Sequence, residues 1–172
     1  MKIAITGHTG EVGSALTLSY ITQGHEIVGL TQSTGYPDSD LDKIVDAIKD
    51  CDVFVNLYSN NFVQTELLYR VHKEWLGQDK QIVNISSISA LGYFGLDADK
   101  PVNKHIYKHQ KIALEEAHWL LNTKNNLRPR MVLVKIGPGP DTTSWQEVAD
   151  YIVDCLEKGV DNPYLLELAV AK

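Results

Sequence analysis

Thr6-Gly7-His8-Thr9-Gly10-Glu11-Val12-Gly13 is the stretch whose flanks decide the fold. Before it, residues 2–6 form a short apolar run rich in isoleucine that halts at Gly7, the pattern of a buried strand. After it, residues 11–22 carry Val12, Leu16 and Tyr20 at helical spacing and meet a stop at Gly24. A strand that runs through three glycines into a helix begins a β-α-β unit, and the same alternation continues along the chain. Strands are predicted over residues 26–31, 52–57, 81–85, 131–136 and 165–170, and helices over 41–49, 62–75, 106–122 and 144–157. Residues 32–39 and 91–103 read as loops. The sum is an α/β fold, a doubly wound parallel sheet with helices on both faces, in one domain spanning residues 1–172.

Composition narrows the function classes. A chain of 172 residues suits one domain and can bury a core of its own. The net charge of −6 and the lack of a basic run exclude a nucleic-acid partner, because phosphate backbones need clustered Lys and Arg. The apolar runs at 53–57 and 131–134 are too short to span a bilayer, and no signal peptide is evident, so no membrane partner is expected. Cys51 and Cys155 lack metal-ligand spacing and read as reduced thiols of a cytoplasmic protein. His8, His25, His72, His105, His109 and His118 stand singly, so no metal site is expected; His105 and His109, close to Tyr107, read as solvated surface. Trp75, Trp119 and Trp145 read as helix packing.

The glycine loop gains meaning from its flanks. Gly7 permits the tight turn, Gly10 lets main chain approach a pyrophosphate, and Gly13 lets the helix pack close to the sheet. The helix start adds free N–H groups and a positive dipole end. The loop from Gly7 to Gly13, with His8, Thr9, Glu11 and Val12 between the glycines, is therefore a dinucleotide site, and the sheet is Rossmann-type. Enzymes of this fold that use NAD place a carboxylate at the end of the second strand. Here Thr31, Gln32 and Ser33 occupy that place, which points to NADP; the usual Arg is absent too, so NAD stays open.

Tyr107 and Lys111 stand four residues apart on a predicted helix and share a face. A free phenol ionises near pH 10, too high for easy proton exchange at neutrality. A neighbouring ammonium is expected to pull that value down, making Tyr107 an acid or base tuned by Lys111. Spacing alone is a weak signal, since Tyr69 and Lys73 repeat it. That earlier pair reads as helix surface.

In this order, the glycine loop and the Tyr-x-x-x-Lys pair resemble the short-chain dehydrogenase/reductase family; the Thr-Gly-x-x-Gly-x-x-Gly spacing resembles its extended and atypical branches. The resemblance runs through nearly the whole chain. Asp40-Leu41 is similar to the family's adenine contact, and Asn56, Leu57, Tyr58 and Ser59 to the strand end beside the cofactor, although Tyr58 is bulkier than usual and must point away or narrow the site. Ile85-Ser86-Ser87 resembles the segment whose serine holds the substrate oxygen, a role that falls on Ser87. By the same resemblance Lys111 also binds the nicotinamide ribose. Asp99-Lys100-Pro101 and Glu115 fit the extended pattern around Tyr107. Ile136-Gly137-Pro138-Gly139 resembles the turn that packs on the nicotinamide, with Thr143 as the phosphate or carboxamide contact.

The resemblance implies an NAD(P)-dependent oxidoreductase that moves hydride between the nicotinamide and a small carbonyl or alcohol substrate. Ser87, Tyr107 and Lys111 would be catalytic. A sugar-nucleotide epimerase or dehydratase and a non-catalytic NADP-binding regulatory module are the alternatives. The family's further Asn has no counterpart on the 62–75 helix, and Asn60 and Asn61 just before it are not assigned. Little chain follows the Pro-Gly turn, so the substrate pocket is expected to be small, open or completed by another subunit. A homodimer is expected through the helices at 62–75 and 106–122, with Val71, Trp75, Leu114 and His118 at the contact.

Overall fold

A computed structural model of the chain describes residues 1–92, 103–124, 128–137 and 144–159. Five strands, β1 (Lys2–Thr6), β2 (Glu26–Leu30), β3 (Val53–Asn56), β4 (Gln81–Ser87) and β5 (Arg130–Ile136), form one parallel sheet in the order β2-β1-β3-β4-β5. Helices α1 (Glu11–Thr22), α2 (Leu41–Ala47), α3 (Val63–Glu74), α4 (Lys104–Lys124) and α5 (Trp145–Glu157) connect and follow them. The fold is the expected Rossmann-like doubly wound one.

Side chains alternate across each strand, so each sheet face gathers every second residue. Ile3, Ile5, Val55, Val83, Ile85 and Val134 pack under α1 and α5. Ala4, Phe54, Ile82 and Met131 pack on the opposite side, under α2, α3 and α4. Burial on both faces explains why the strands read as nearly continuous apolar runs. Caps fix the helix starts: Asp40 accepts from the Lys43 N–H at 3.2 Å, and Ser144 with Glu147 makes a capping box on α5.

The first crossover leaves β1 toward β2, and a later one returns to β3 on the other side. This reversal opens a crevice beyond the carboxyl ends of β1 and β3. Thr6 shapes it, donating to Val55 O at 3.3 Å and accepting from Leu57 N–H at 2.8 Å.

Several boundaries differ from the sequence expectation. β4 continues to Ser87, because Ser86 and Ser87 still pair with Lys135 and Ile136 of β5. Both serines are thereby set on a rigid strand end. A short 3-10 turn at Gln32–Thr34 opens the segment read as the first loop, and another at Ile88–Leu91 leads from β4 to the start of the second. The strand expected at 165–170 lies outside the described residues, as do Asp99, Lys100 and Pro101.

The expected subunit contact is corrected. Val71, Trp75, Leu114 and His118 are 0% exposed within the single chain. They belong to the inward stripes of α3 and α4 and touch the sheet, so no partner reaches them. The outward faces of these helices present Tyr69, Ile106 and Leu120 instead. Among the described residues no helix is long and apolar enough to cross a membrane.

Candidate functional site

The first loop is built almost wholly from main chain. Gly7 takes a left-handed φ of 66°, and its N–H reaches back to Leu30 O at 3.1 Å. The Gly10 N–H closes the turn onto Gly7 O at 3.0 Å. A Cβ on Gly13 would lie 2.1 Å from Gly7 O, so only glycine lets α1 start this close to the turn. Gly10 is the N-cap of α1 and no side chain caps the helix. The first-turn N–H groups are thus left for an anion.

A cavity of about 450 Å³ lies over this loop. Its walls are Gly7 and Thr9 to Gly13 from the loop, Leu57 to Asn60 beyond β3, Ile85 to Ser87 at the end of β4, Tyr107 and Lys111 from α4, and Ile136, Gly137 and Trp145. An uncapped helix start, a turn of three glycines and a volume in the cofactor range fit the diphosphate and nicotinamide end of a dinucleotide.

The side chains of Ser87, Tyr107 and Lys111 line the cavity opposite the loop. The Ser87 hydroxyl stands near the Tyr107 phenol and favours its ionised form. It also donates to Ser89 Oγ at 3.1 Å and accepts from the Ser89 N–H. Lys111 Nζ sits 5.4 Å from the centre of the Tyr107 ring. It donates to Gln64 Oε1 at 2.7 Å and to Ile85 O at 3.1 Å.

Electrostatics correct one expectation. Burial pushes the Tyr107 phenol up, and the nearby Ser87 hydroxyl opposes this only in part. The amine of Lys111 is bound to Gln64 and to main chain rather than turned on the phenol. Burial lowers Lys111 itself to about 8, with the Glu115 carboxylate pulling the other way. At neutral pH the site therefore holds a protonated phenol beside an ammonium that gives up its proton in mild alkali.

Beneath these groups runs a buried polar layer on the α3/α4 side of the sheet. Asn56 donates to Gln64 O at 2.8 Å and to Asn84 Oδ1 at 3.1 Å. Asn84 in turn meets His118 Nδ1 at 3.2 Å. Glu115 accepts from Ser86 Oγ at 2.5 Å and from Lys135 at 3.0 Å.

The remaining sequence-predicted residues are placed as follows. His8 turns its ring from the cavity onto β2, where a Cβ on Gly29 would lie 2.5 Å from His8 Nε2. Thr31 spends its hydroxyl inside the 3-10 turn, on Ser33 at 2.9 Å, while Gln32 and Ser33 are exposed at the end of β2, off the cavity wall. Asp40 is a helix cap and Leu41 is core, which are reasons of local structure for their being there. Asn56 is fully buried in the polar layer. Tyr58 stays on the cavity edge, but its hydroxyl points across to Tyr36 O at 3.1 Å. Pro138, Gly139 and Thr143 lie outside the described residues. His105 and His109 are exposed, as expected.

Three wall or near-wall residues escaped the sequence reading: Gln64, Trp145 and Asn60, which lines the cavity and donates to Asp38 at 2.6 Å. Gln64 stands three, four and seven residues before Leu67, Leu68 and Val71, on the inward stripe of α3. A polar residue on such a stripe was the available signal. Trp145, read as packing, also forms cavity wall.

Residues 3–165 match the family model described as the NAD dependent epimerase/dehydratase family. No curated protein matches the chain. Among solved structures, a UDP-N-acetylglucosamine 4-epimerase from Bacillus cereus aligns with a TM-score of 0.64 at 21% identity, over 92% of this chain and 75% of that one. A short chain dehydrogenase from Burkholderia cenocepacia in complex with NADP gives 0.69 at 14% identity, over 91% and 84%. A short-chain dehydrogenase/reductase from Vibrio parahaemolyticus gives 0.64 at 16%, over 89% and 92%. Identities this low speak for the fold alone, while the family model spans nearly the whole chain. The chain belongs to the NAD-dependent epimerase/dehydratase family, within the short-chain dehydrogenase/reductase fold.

Proposed function

We propose that the chain is an NAD(P)-dependent oxidoreductase acting on a small carbonyl or alcohol substrate. The observation that carries this reading is the meeting of Ser87 and Tyr107 on the wall of one cavity, with the Lys111 amine beside the phenol ring. A pure binding site has no need of a buried phenol next to a hydroxyl.

Ser87, Tyr107 and Lys111 line the end of the cavity where a nicotinamide would be held, and that group would supply hydride chemistry there. Ser87 donates a hydrogen bond to the substrate oxygen and orients it. Tyr107 transfers its phenolic proton to that oxygen as charge develops, and the phenolate regains a proton from solvent. Lys111, cationic at neutral pH, stabilises the phenolate left behind. The raised phenol suits this direction, because the acid is fully loaded before each turnover. The first loop would hold the diphosphate of that cofactor on its uncapped N–H groups. The lack of a carboxylate at Thr31, Gln32 and Ser33 supports NADP as the cofactor, with Gln32 and Ser33 exposed to meet a 2′-phosphate.

The decisive assay is NADPH consumption against a panel of aldehydes and ketones, with Tyr107→Phe as control. Turnover that depends on Tyr107 is expected; turnover at full rate in Tyr107→Phe would overturn the mechanism. The family match favours a second reading, a sugar-nucleotide epimerase or dehydratase. It predicts product from a nucleotide sugar with no net NADPH consumed.

A further inference from the structure

We propose that Gln64 is the positioning residue of this site, a neutral clamp that fixes where the Lys111 amine sits and how readily it sheds its proton. Its meaning for catalysis rests on the oxidoreductase reading above.

The amide of Gln64 has one possible orientation. Its Nε2 donates to two main-chain carbonyls, Asn56 O at 2.7 Å and Ile85 O at 2.8 Å. Carbonyls only accept, so the nitrogen must face them and Oε1 must face Lys111. The backbone of Gln64 is pinned too, since its carbonyl accepts from Asn56 Nδ2 at 2.8 Å. Gln64 is 5% exposed and Lys111 is 5% exposed, so neither group trades these partners for water. The amine has three N–H donors. Gln64 Oε1 and Ile85 O take two of them, which leaves one for a ligand in the cavity that Lys111 lines.

The charge of the clamp matters as much as its geometry. Around Lys111, α4 contributes Tyr107 on one side and the Glu115 carboxylate one turn on. That carboxylate is already engaged by Ser86 of β4 and Lys135 of β5. From α3 comes only the uncharged Gln64. An ammonium buried with one shared carboxylate and a neutral acceptor loses its proton more easily than one in water, in the direction found for Lys111. Glutamine at position 64 thus anchors the amine without holding its proton.

The test reads Lys111 directly in the full chain without cofactor, by following its Cε resonance in ¹³C-lysine-labelled protein through pH 6–11, with Lys111→Met to assign the signal. In Gln64→Met, which removes the acceptor at similar volume, the Lys111 midpoint should fall by about one pH unit; in Gln64→Glu it should rise by at least as much. NADPH affinity, followed by its fluorescence, should weaken about tenfold in Gln64→Met as the amine loses its fixed position. If Gln64→Glu does not fold, Gln64→Met alone decides. An unmoved Lys111 midpoint in a folded Gln64→Met protein overturns the inference. Opposed shifts without turnover on any carbonyl would uphold the clamp and remove the oxidoreductase reading. Turnover with no shift would do the reverse.

Discussion

Helices α3 and α4 carry the same pair at the same spacing, yet the two pairs live in different worlds. Tyr69 is 43% exposed and Lys73 stands in solvent on the outer side of α3. Tyr107 and Lys111 stand on the cavity side of α4, next to a strand end that presents Ser86 and Ser87. Four residues of separation gives two side chains a common helix face and nothing more. Chemistry begins where that face is dry and where other elements supply partners. The difference is also one of inward stripes. That of α3 holds Gln64 and His72 among Leu67, Leu68, Val71 and Trp75, whereas that of α4 holds Lys111 and His118 among Leu114 and Ala117 and brings the Lys111 amine to the cavity.

The comparison breaks most sharply at the phenols. Tyr107→Phe is expected to lower kcat by about 100-fold or more with NADPH affinity little changed, whereas Tyr69→Phe should leave steady-state rates as they are. Equal effects at the two positions would dissolve the distinction.

The next contrast is in acid. Burial lowers His118 to about 4, while an unfolded histidine titrates near 6.5. Between these values the unfolded chain holds the extra proton, so stability falls as pH drops from about 6.5 toward 4. The gap corresponds to roughly 3 kcal/mol, and His118→Gln should flatten that part of the urea-denaturation profile by a comparable amount.

Lys111 gives the opposite end of the pH scale. Its folded value is about 8 against 10.5 in the unfolded chain, so above pH 8 the folded protein releases a proton that the unfolded chain keeps. Stability should therefore rise from about pH 8 toward 10.5 relative to Lys111→Met, by roughly 2 kcal/mol at pH 9.5. The smallest effect is expected at Lys73→Met, whose urea midpoint should match the parent within about 0.5 kcal/mol at either pH.

What the sequence reveals follows the same division. Parallel strands covered on both faces write themselves as apolar runs, and helices as stripes, so the sheet and its five helices were legible. The loop was legible because glycines acting through backbone geometry leave a spacing. Ser87, Tyr107 and Lys111, singled out in the sequence by motif order, share one cavity wall. The direction of the phenol's shift was not, because burial outweighed the neighbouring charge, and burial is a property of the packed chain. Nor was the fate of Val71, Trp75, Leu114 and His118, whose stripes serve this chain's own sheet rather than a second copy. Gln64 went unread because its partner lies 47 positions away on another helix.

His8 lying over Gly29 has a consequence for anyone trying to harden this protein. Glycine within a strand is an obvious target for replacement by alanine, since the free chain then has less freedom to lose. In β2 the added methyl would collide with the imidazole of His8, which belongs to the first glycine loop. The strand could tolerate the change while the ring was evicted, so a thermal melt could improve as cofactor affinity declined. Screening such a variant by melting temperature alone would select for a sturdier molecule with a damaged grip.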